Sequence, residues 1–126
     1  MKNFVIVILF FVLATACGRK DNGFVPERLL SQTEMIDILT DVQLIEADLN
    51  YRRTQERDTD TVSIDYRSLT QSYYSQLFGH YGITDSIFSQ NMRYYTEHPA
   101  ELEKVMDSVT QRLLKVQNEL KKEEND

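Results

Sequence analysis

Residues 8–20 read ILFFVLATACGRK and hold the chain's single cysteine, Cys17, where an apolar run gives way to a charged one. A thiol there can be buried, reactive, half of an intermolecular disulfide, or a point of acylation. Other reactive groups are sparse. The two histidines, His80 and His98, lie far apart in the chain, each where a helix is expected to end. The helix dipole favours histidine at such positions. No cysteine and histidine cluster offers zinc a ligand set. The acids of DTDTVSIDY lack the central glycine and closing glutamate of a calcium loop. No metal site is expected. Neither a Gly-x-Ser-x-Gly nor a Ser-x-x-Lys box is present to activate a nucleophile. The glycines, scattered at 18, 23, 79 and 82, make no phosphate cradle. With 20 acidic residues, paired carboxylates occur everywhere and single out nothing. The expectation is no enzyme, no catalytic residue and no cofactor.

Cys17 has a better reading from what precedes it. The chain opens MKN, a short positive start, and residues 4–13 are unbroken apolar. A bilayer span needs roughly 20 such residues. The run instead fits the apolar region of a secretory signal, and Ala14, Thr15 and Ala16 supply the small residues of a cleavage site. A core helix made of this run would need cover on every side. With cysteine next, the arrangement resembles a bacterial lipobox, in which the thiol is diacylated, the signal is cut before it, and the new amino group is acylated. One position departs from the favoured pattern. Leucine is expected three residues before the cysteine, and Ala14 stands there, with Leu13 one place earlier. The alternative is a secreted protein with a free thiol at its mature N-terminus, a liability in an oxidising compartment. Cys17 is therefore expected to be the lipidation site, with residues 1–16 the signal peptide. Two or three acyl chains anchor firmly where one does not. Gly18 follows the cysteine directly, which resembles an outer-membrane-directed lipoprotein under the enteric sorting rule. The expected location is the outer membrane, lipid-anchored and facing the periplasm.

The net charge is −6, and losing Lys2 with the signal makes it one unit more negative. An acidic body with no basic stripe has no electrostatic attraction to nucleic acid or an anionic membrane. No nucleic-acid partner is expected, and the membrane is met through the anchor.

A chain of 126 residues allows one domain. Residues 17–30, punctuated by Gly18, Gly23 and Pro26, read as the lipidated N-terminus and a tether. Residues 31–122 read as a helical bundle and 123–126 as a solvated tail. The first helix is expected over 31–54. It opens with the capping box SQTE and carries a stripe through Met35, Ile38 or Leu39, Val42, Ile45 and Leu49. Polar residues 55–63 read as a loop. A second helix, 64–80, has Tyr66, Leu69, Tyr73, Leu77 and Tyr81 on one stripe, Tyr74 and Phe78 beside it, and Gly82 as a left-handed cap. A third, 85–97, starts from Thr84 as N-cap and turns Ile87, Phe88, Tyr95 and either Met92 or Asn91 inward. His98 before Pro99 ends it. A fourth, from 99 to about 119, carries Leu102, Met106, Val109, Leu113, Val116 and Leu120 in heptad-like steps, a seam read as core rather than dimer zipper. No stretch alternates like a strand. The fold class is all-α, a small bundle of three to four helices, three if the second helix is merely broken at 79–83.

Six of the 7 tyrosines fall between Tyr66 and Tyr95. Within each adjacent pair the rings diverge by about 100° around the helix, so one of each pair tends to the rim. Rim tyrosine is an efficient contact residue. Tyr95 shares the stripe of Phe88 and Met92, which leaves Tyr94 at the rim. With Tyr81 in the turn FGHYGITD, Tyr94 is the candidate interaction residue of one corner.

The helix EMIDILTDVQLIEA, the run Tyr81, Gly82, Ile83, then Phe88, Tyr94, Tyr95 and the start PAELEKVMDSV come after a lipobox in a particular order. Over residues 26–120, with a variable gap at 55–63, this order resembles a family of short lipoproteins from Bacteroidota catalogued only as a domain of unknown function. The resemblance implies a mostly helical Gram-negative envelope lipoprotein and implies no activity, substrate or catalytic residue. The expected role is a non-catalytic accessory or scaffold subunit that binds another envelope protein. The alternative is a periplasmic binder of lipid or glycan fragments, with a pocket between the second and third helices walled by Tyr66, Tyr73, Tyr81 and Tyr95.

The anchor is open to direct test. Metabolic labelling with a clickable fatty acid should mark the native chain and leave Cys17→Ser unmarked. Equal labelling of both would contradict acylation at Cys17.

Overall fold

A computed structural model describes residues 23–57 and 64–123. Residues 1–16, expected as a signal peptide, together with Cys17, most of the expected 55–63 loop and residues 124–126, lie outside the described residues. Four helices follow in order: α1, Gln32–Arg57; α2, Tyr66–His80; α3, Asp85–Glu97; and α4, Pro99–Glu123. The described residues contain no strand, and the fold is an all-α bundle.

Local chemistry sets most of the helix ends. Ser31 and Glu34 form the capping box: the Ser31 amide donates to Glu34 Oε2 at 2.8 Å and the Glu34 amide to Ser31 Oγ at 3.2 Å. Those bonds, the one from the Ser31 backbone first, hold the Glu34 carboxyl below the usual carboxylate range. Thr84 caps α3 by accepting from the Ile87 amide at 3.2 Å. Gly82 is left-handed at φ +62°, and Ile83 donates back to the Phe78 carbonyl at 3.0 Å, closing α2 with a Schellman-type turn. Ile83, which closes that turn, is itself buried. Two boundaries differ from the sequence expectation. α1 runs on to Arg57, into the expected loop. α2 starts at Tyr66 rather than at 64, because the Asp65 carboxylate caps it, accepting from the amides of Arg67 and Ser68.

Pairings between helices give the path of the chain. α2 runs antiparallel to α1, since Tyr81 meets Asp41 and Tyr73 meets Asp48. α3 carries the chain on to Leu30, where Tyr95 ends. α4 then returns in the same sense as α1, with Arg112 paired to Asp37. The core between them is Leu30, Met35, Ile38 and Leu39, with Leu77, Phe78, Ile83, Tyr95, Val105 and Val109.

The seam of α4 is corrected by one position. Val105 is fully buried, whereas Met106 is 41 % exposed and Leu120 is 61 % exposed. A straight helix turns with a period of 3.6 residues, so Leu102, Val105, Val109 and Val116 share a face that a strict heptad would pass to Met106.

The larger correction concerns residues 24–30, expected as tether. Pro26 is buried and Leu30 belongs to the core. This stretch is neither helix nor sheet, so its backbone groups need partners from elsewhere once they are buried. α3 provides them. Asn91, 0 % exposed, accepts from the Leu30 amide at 2.8 Å and donates to the Arg28 carbonyl at 2.7 Å and to the Ile87 carbonyl at 2.8 Å. The Tyr95 hydroxyl donates to the Leu30 carbonyl at 2.9 Å, and the Glu27 amide donates to Gln90 at 2.8 Å. The segment is a strap strung across α3.

Replacing Asn91 by Leu keeps the branched shape but leaves the Leu30 amide and the Arg28 carbonyl without their partner, whereas the Ile87 carbonyl keeps its helical bond. Each buried group left without a partner costs about 1–3 kcal/mol. Asn91→Leu should therefore lower the urea midpoint sharply, while Met106→Ala on the exposed side of α4 should stay within about 0.5 kcal/mol of wild type.

Candidate binding groove

The first two helices meet through apolar side chains flanked by acids. On α1, Ile38, Val42, Ile45 and Leu49 form the contact stripe, with Asp41 and Asp48 along one edge and Glu46 along the other. Asp41 and Asp48 are one heptad apart, so they share that edge. On α2, Tyr73 and Tyr81 look to the same edge and Tyr74 to the opposite one. The phenols close the pairs: Tyr81 to Asp41 at 2.6 Å, Tyr73 to Asp48 at 3.2 Å, and Tyr74 to Glu46 at 2.6 Å. α2 is thereby held on both flanks by hydroxyls donating to carboxylates.

These bonds shift the groups that make them. Burial, then the bond to Glu46, pushes the Tyr74 phenol up to about 12. Burial, then the bond to Asp41, raises the Tyr81 phenol well above its ordinary value. Burial raises Tyr95 as well. Asp48 is lowered, chiefly by the Arg52 guanidinium at 2.8 Å and then by Tyr73.

Between Asp41 and Asp48 the surface sinks into an open trough of about 420 Å³. Leu44, Ile45 and Leu77 form its floor, and Asp41, Asp48, Tyr73 and Gln76 form its rims. Leu44 is 40 % exposed there. Chemically the trough offers an apolar base with two carboxylates fixed along its edges. Among the described residues no group of three or more His, Cys, Asp or Glu is placed to hold a metal, and no helix is long and apolar enough to cross a membrane.

The residues singled out in the sequence are dispersed. Tyr81 sits at the end of α2, half-buried, with its hydroxyl on Asp41. Tyr94 is half-buried at the α3–α4 corner, its ring stacked on His98 at 4.1 Å and edge-on to Tyr95 at 5.5 Å. The His98 ring donates from Nδ1 to the Tyr94 carbonyl at 2.7 Å. The pocket expected between the second and third helices, walled by four tyrosines, is not how these rings are placed. Tyr66 lies under the Arg53 guanidinium, Tyr73 and Tyr81 serve acids of α1, and Tyr95 serves the strap. A hollow of about 390 Å³ does open between α2 and α3, lined by Tyr74, Phe78, Gly79 and Ile83 among others, with only one of its walls a tyrosine. The trough on α1 and α2 was missed. Its one signal is the seven-residue spacing of Asp41 and Asp48 against the eight-residue spacing of Tyr73 and Tyr81, which meet only if the two helices are antiparallel and in this register.

Fold and trough together define a small helical domain with an open groove edged by carboxylates. Residues 26–124 match the family model described as Domain of unknown function (DUF4296), and the chain belongs to that family. No curated protein and no solved structure matches it.

The raised phenols make stability fall on the alkaline side. An unfolded chain releases tyrosine protons near pH 10, while the folded chain keeps them on Tyr74 and Tyr81 to higher pH. Their contribution is complete below about pH 10 and is lost as pH rises through about 12. Tyrosinate absorbance should show a late-titrating fraction that shrinks to what Tyr95 contributes in Tyr74→Phe/Tyr81→Phe, and in the native chain helix content should fall in the same window. Uniform ionisation near pH 10 with the helices intact would contradict the phenol–carboxylate pairing.

Proposed function

We propose that this protein is a lipid-anchored lipoprotein of the outer membrane, held through acylated Cys17 and facing the periplasm. It acts there as a non-catalytic accessory or scaffold subunit by binding another envelope protein. The lipobox supports the anchor. The observation that carries the binding role is the open trough, with its apolar floor of Leu44, Ile45 and Leu77 and its fixed carboxylates, Asp41 and Asp48. Small-ligand sites enclose most of their ligand's surface. An open trough covers one side only, which suits a chain segment laid along it. Apolar floor and acidic rims favour a segment bearing an apolar side chain between basic ones. Tyr81 contributes by holding Asp41, and Tyr94 offers a second, smaller contact at the α3–α4 corner.

The alternative, a binder of lipid or glycan fragments, draws on the hollow between α2 and α3.

Leu44→Asp tests the reading, since Leu44 is part-exposed and the change alters the trough rather than the core. Crosslinked capture of the native lipoprotein from membranes should lose partners with this variant while the melting temperature stays near wild type. An unchanged partner set would remove the trough from the account. A small molecule in the organic extract of the purified protein, absent from Phe78→Ala, would favour the alternative.

A further inference from the structure

The strap has an outer side. Pro26 and Leu30 turn into the bundle, while Val25 is 77 % exposed and Leu29 is 51 % exposed. The backbone bends at Glu27 and Arg28, and on each side of the bend one side chain is buried and its neighbour exposed. Single exposed apolar residues are ordinary on a protein surface. These two are distinguished by where they stand.

They stand at the end of the chain that leads to Cys17. Gly23 is the sixth residue after Cys17. Six residues reach at most about 20 Å when fully extended. α4 alone, with 25 residues, is about 37 Å long. The connection is thus shorter than the bundle it holds. Nor can the strap peel away to lengthen it cheaply, because Asn91, Tyr95 and Gln90 bind its backbone. Its side chains are fixed as well. Arg28 bonds the Gly82 carbonyl at 3.3 Å and Glu34 at 3.0 Å, and the Phe24 ring lies 4.3 Å from the Arg93 guanidinium. A short leash ending on a rigid strap presents one side of the bundle to whatever the leash is tied to.

Charge agrees with that side. The body is acidic, yet here Arg28 is paired with Glu34 and Arg93 with Glu97. With Glu27, exposed on the strap, the face carries one uncompensated negative charge, less than the acidic body around it, and apolar side chains protrude from it.

We infer that the strap face is apposed to the bilayer and that Val25 and Leu29 enter its interfacial layer, a second and shallow membrane contact beside the lipid anchor. This rests on the reading of Cys17 as acylated. The occupant is a lipid surface, and the contact is apolar, so it is insensitive to salt.

The test uses the full acylated lipoprotein in vesicles of phosphatidylethanolamine and phosphatidylglycerol. Single cysteines are introduced as Val25→Cys, Leu29→Cys and, as a control near the far end of α4, Leu120→Cys. Each carries an environment-sensitive fluorophore, with acylated Cys17 unreactive. Shallow nitroxide lipids should quench positions 25 and 29 several-fold more than position 120, equally at low and high salt. Equal weak quenching at all three positions, in protein that floats with the vesicles, overturns the membrane contact and leaves the anchor standing. Wild-type protein that takes the label at Cys17 and fails to float overturns the anchor and the contact with it.

Discussion

The fold depends on one side chain being bonded on three sides in a place closed to water. Asn91 takes the Leu30 amide, gives to the Arg28 carbonyl, and returns its other proton to Ile87 in its own helix. A backbone segment with no helix or sheet partner can enter a core only if something replaces the water it leaves. An asparagine amide has one acceptor and two donor hydrogens, which matches what the strap and α3 present there. With the strap pinned, Leu30 becomes core, Ser31 is delivered to its capping position, and α1 starts where it must to meet α4 through Asp37 and Arg112. Tyr95 adds a bond to the same strap residue from one turn further along α3.

A second polar layer sets the other end. Three phenols of α2 reach three carboxylates of α1, on both flanks of an apolar contact. Apolar stripes alone tolerate sliding and rotation, since Leu, Ile and Val pack in several registers. A slip of one residue would carry each tyrosine off its acid, so these pairs specify register as much as they stabilise. They also give three carboxylates of α1 a hydrogen-bond donor while leaving their charge in place. The trough arises where this packing leaves Leu44 and Ile45 uncovered between two such pairs. Structure and groove are consequences of the same interface.

Much of the architecture was readable from residues. SQTE, Thr84, Gly82 and the His98–Pro99 junction each act through their own neighbours, and each boundary they mark is local in origin. What depends on distant chain was not readable. Asn91 stands in an apolar stripe, where sequence periodicity can only offer it as an alternative to Met92. Its use appears once residues 28–30, some sixty positions earlier, lie across it. The seven-residue rhythm that points to Met106 fits a supercoiled seam, whereas a short straight helix buries Val105 instead. The tyrosines were read as one group because they cluster in sequence. The fold sends them to separate acids and to the strap, and the candidate trough lies on a face whose composition, two aspartates and a leucine, is unremarkable in a chain this acidic.

The claim on which the account turns is that the strap is part of the folded core rather than a flexible lead into α1. Hydrogen exchange at the Leu30 amide reads this directly. Bonded to a buried acceptor, it should exchange only through global unfolding, with the same free energy as core amides of α1 such as Ile38 and Leu39. An amide at Leu30 that exchanges through a local opening, while Ile38 and Leu39 stay protected, would contradict it.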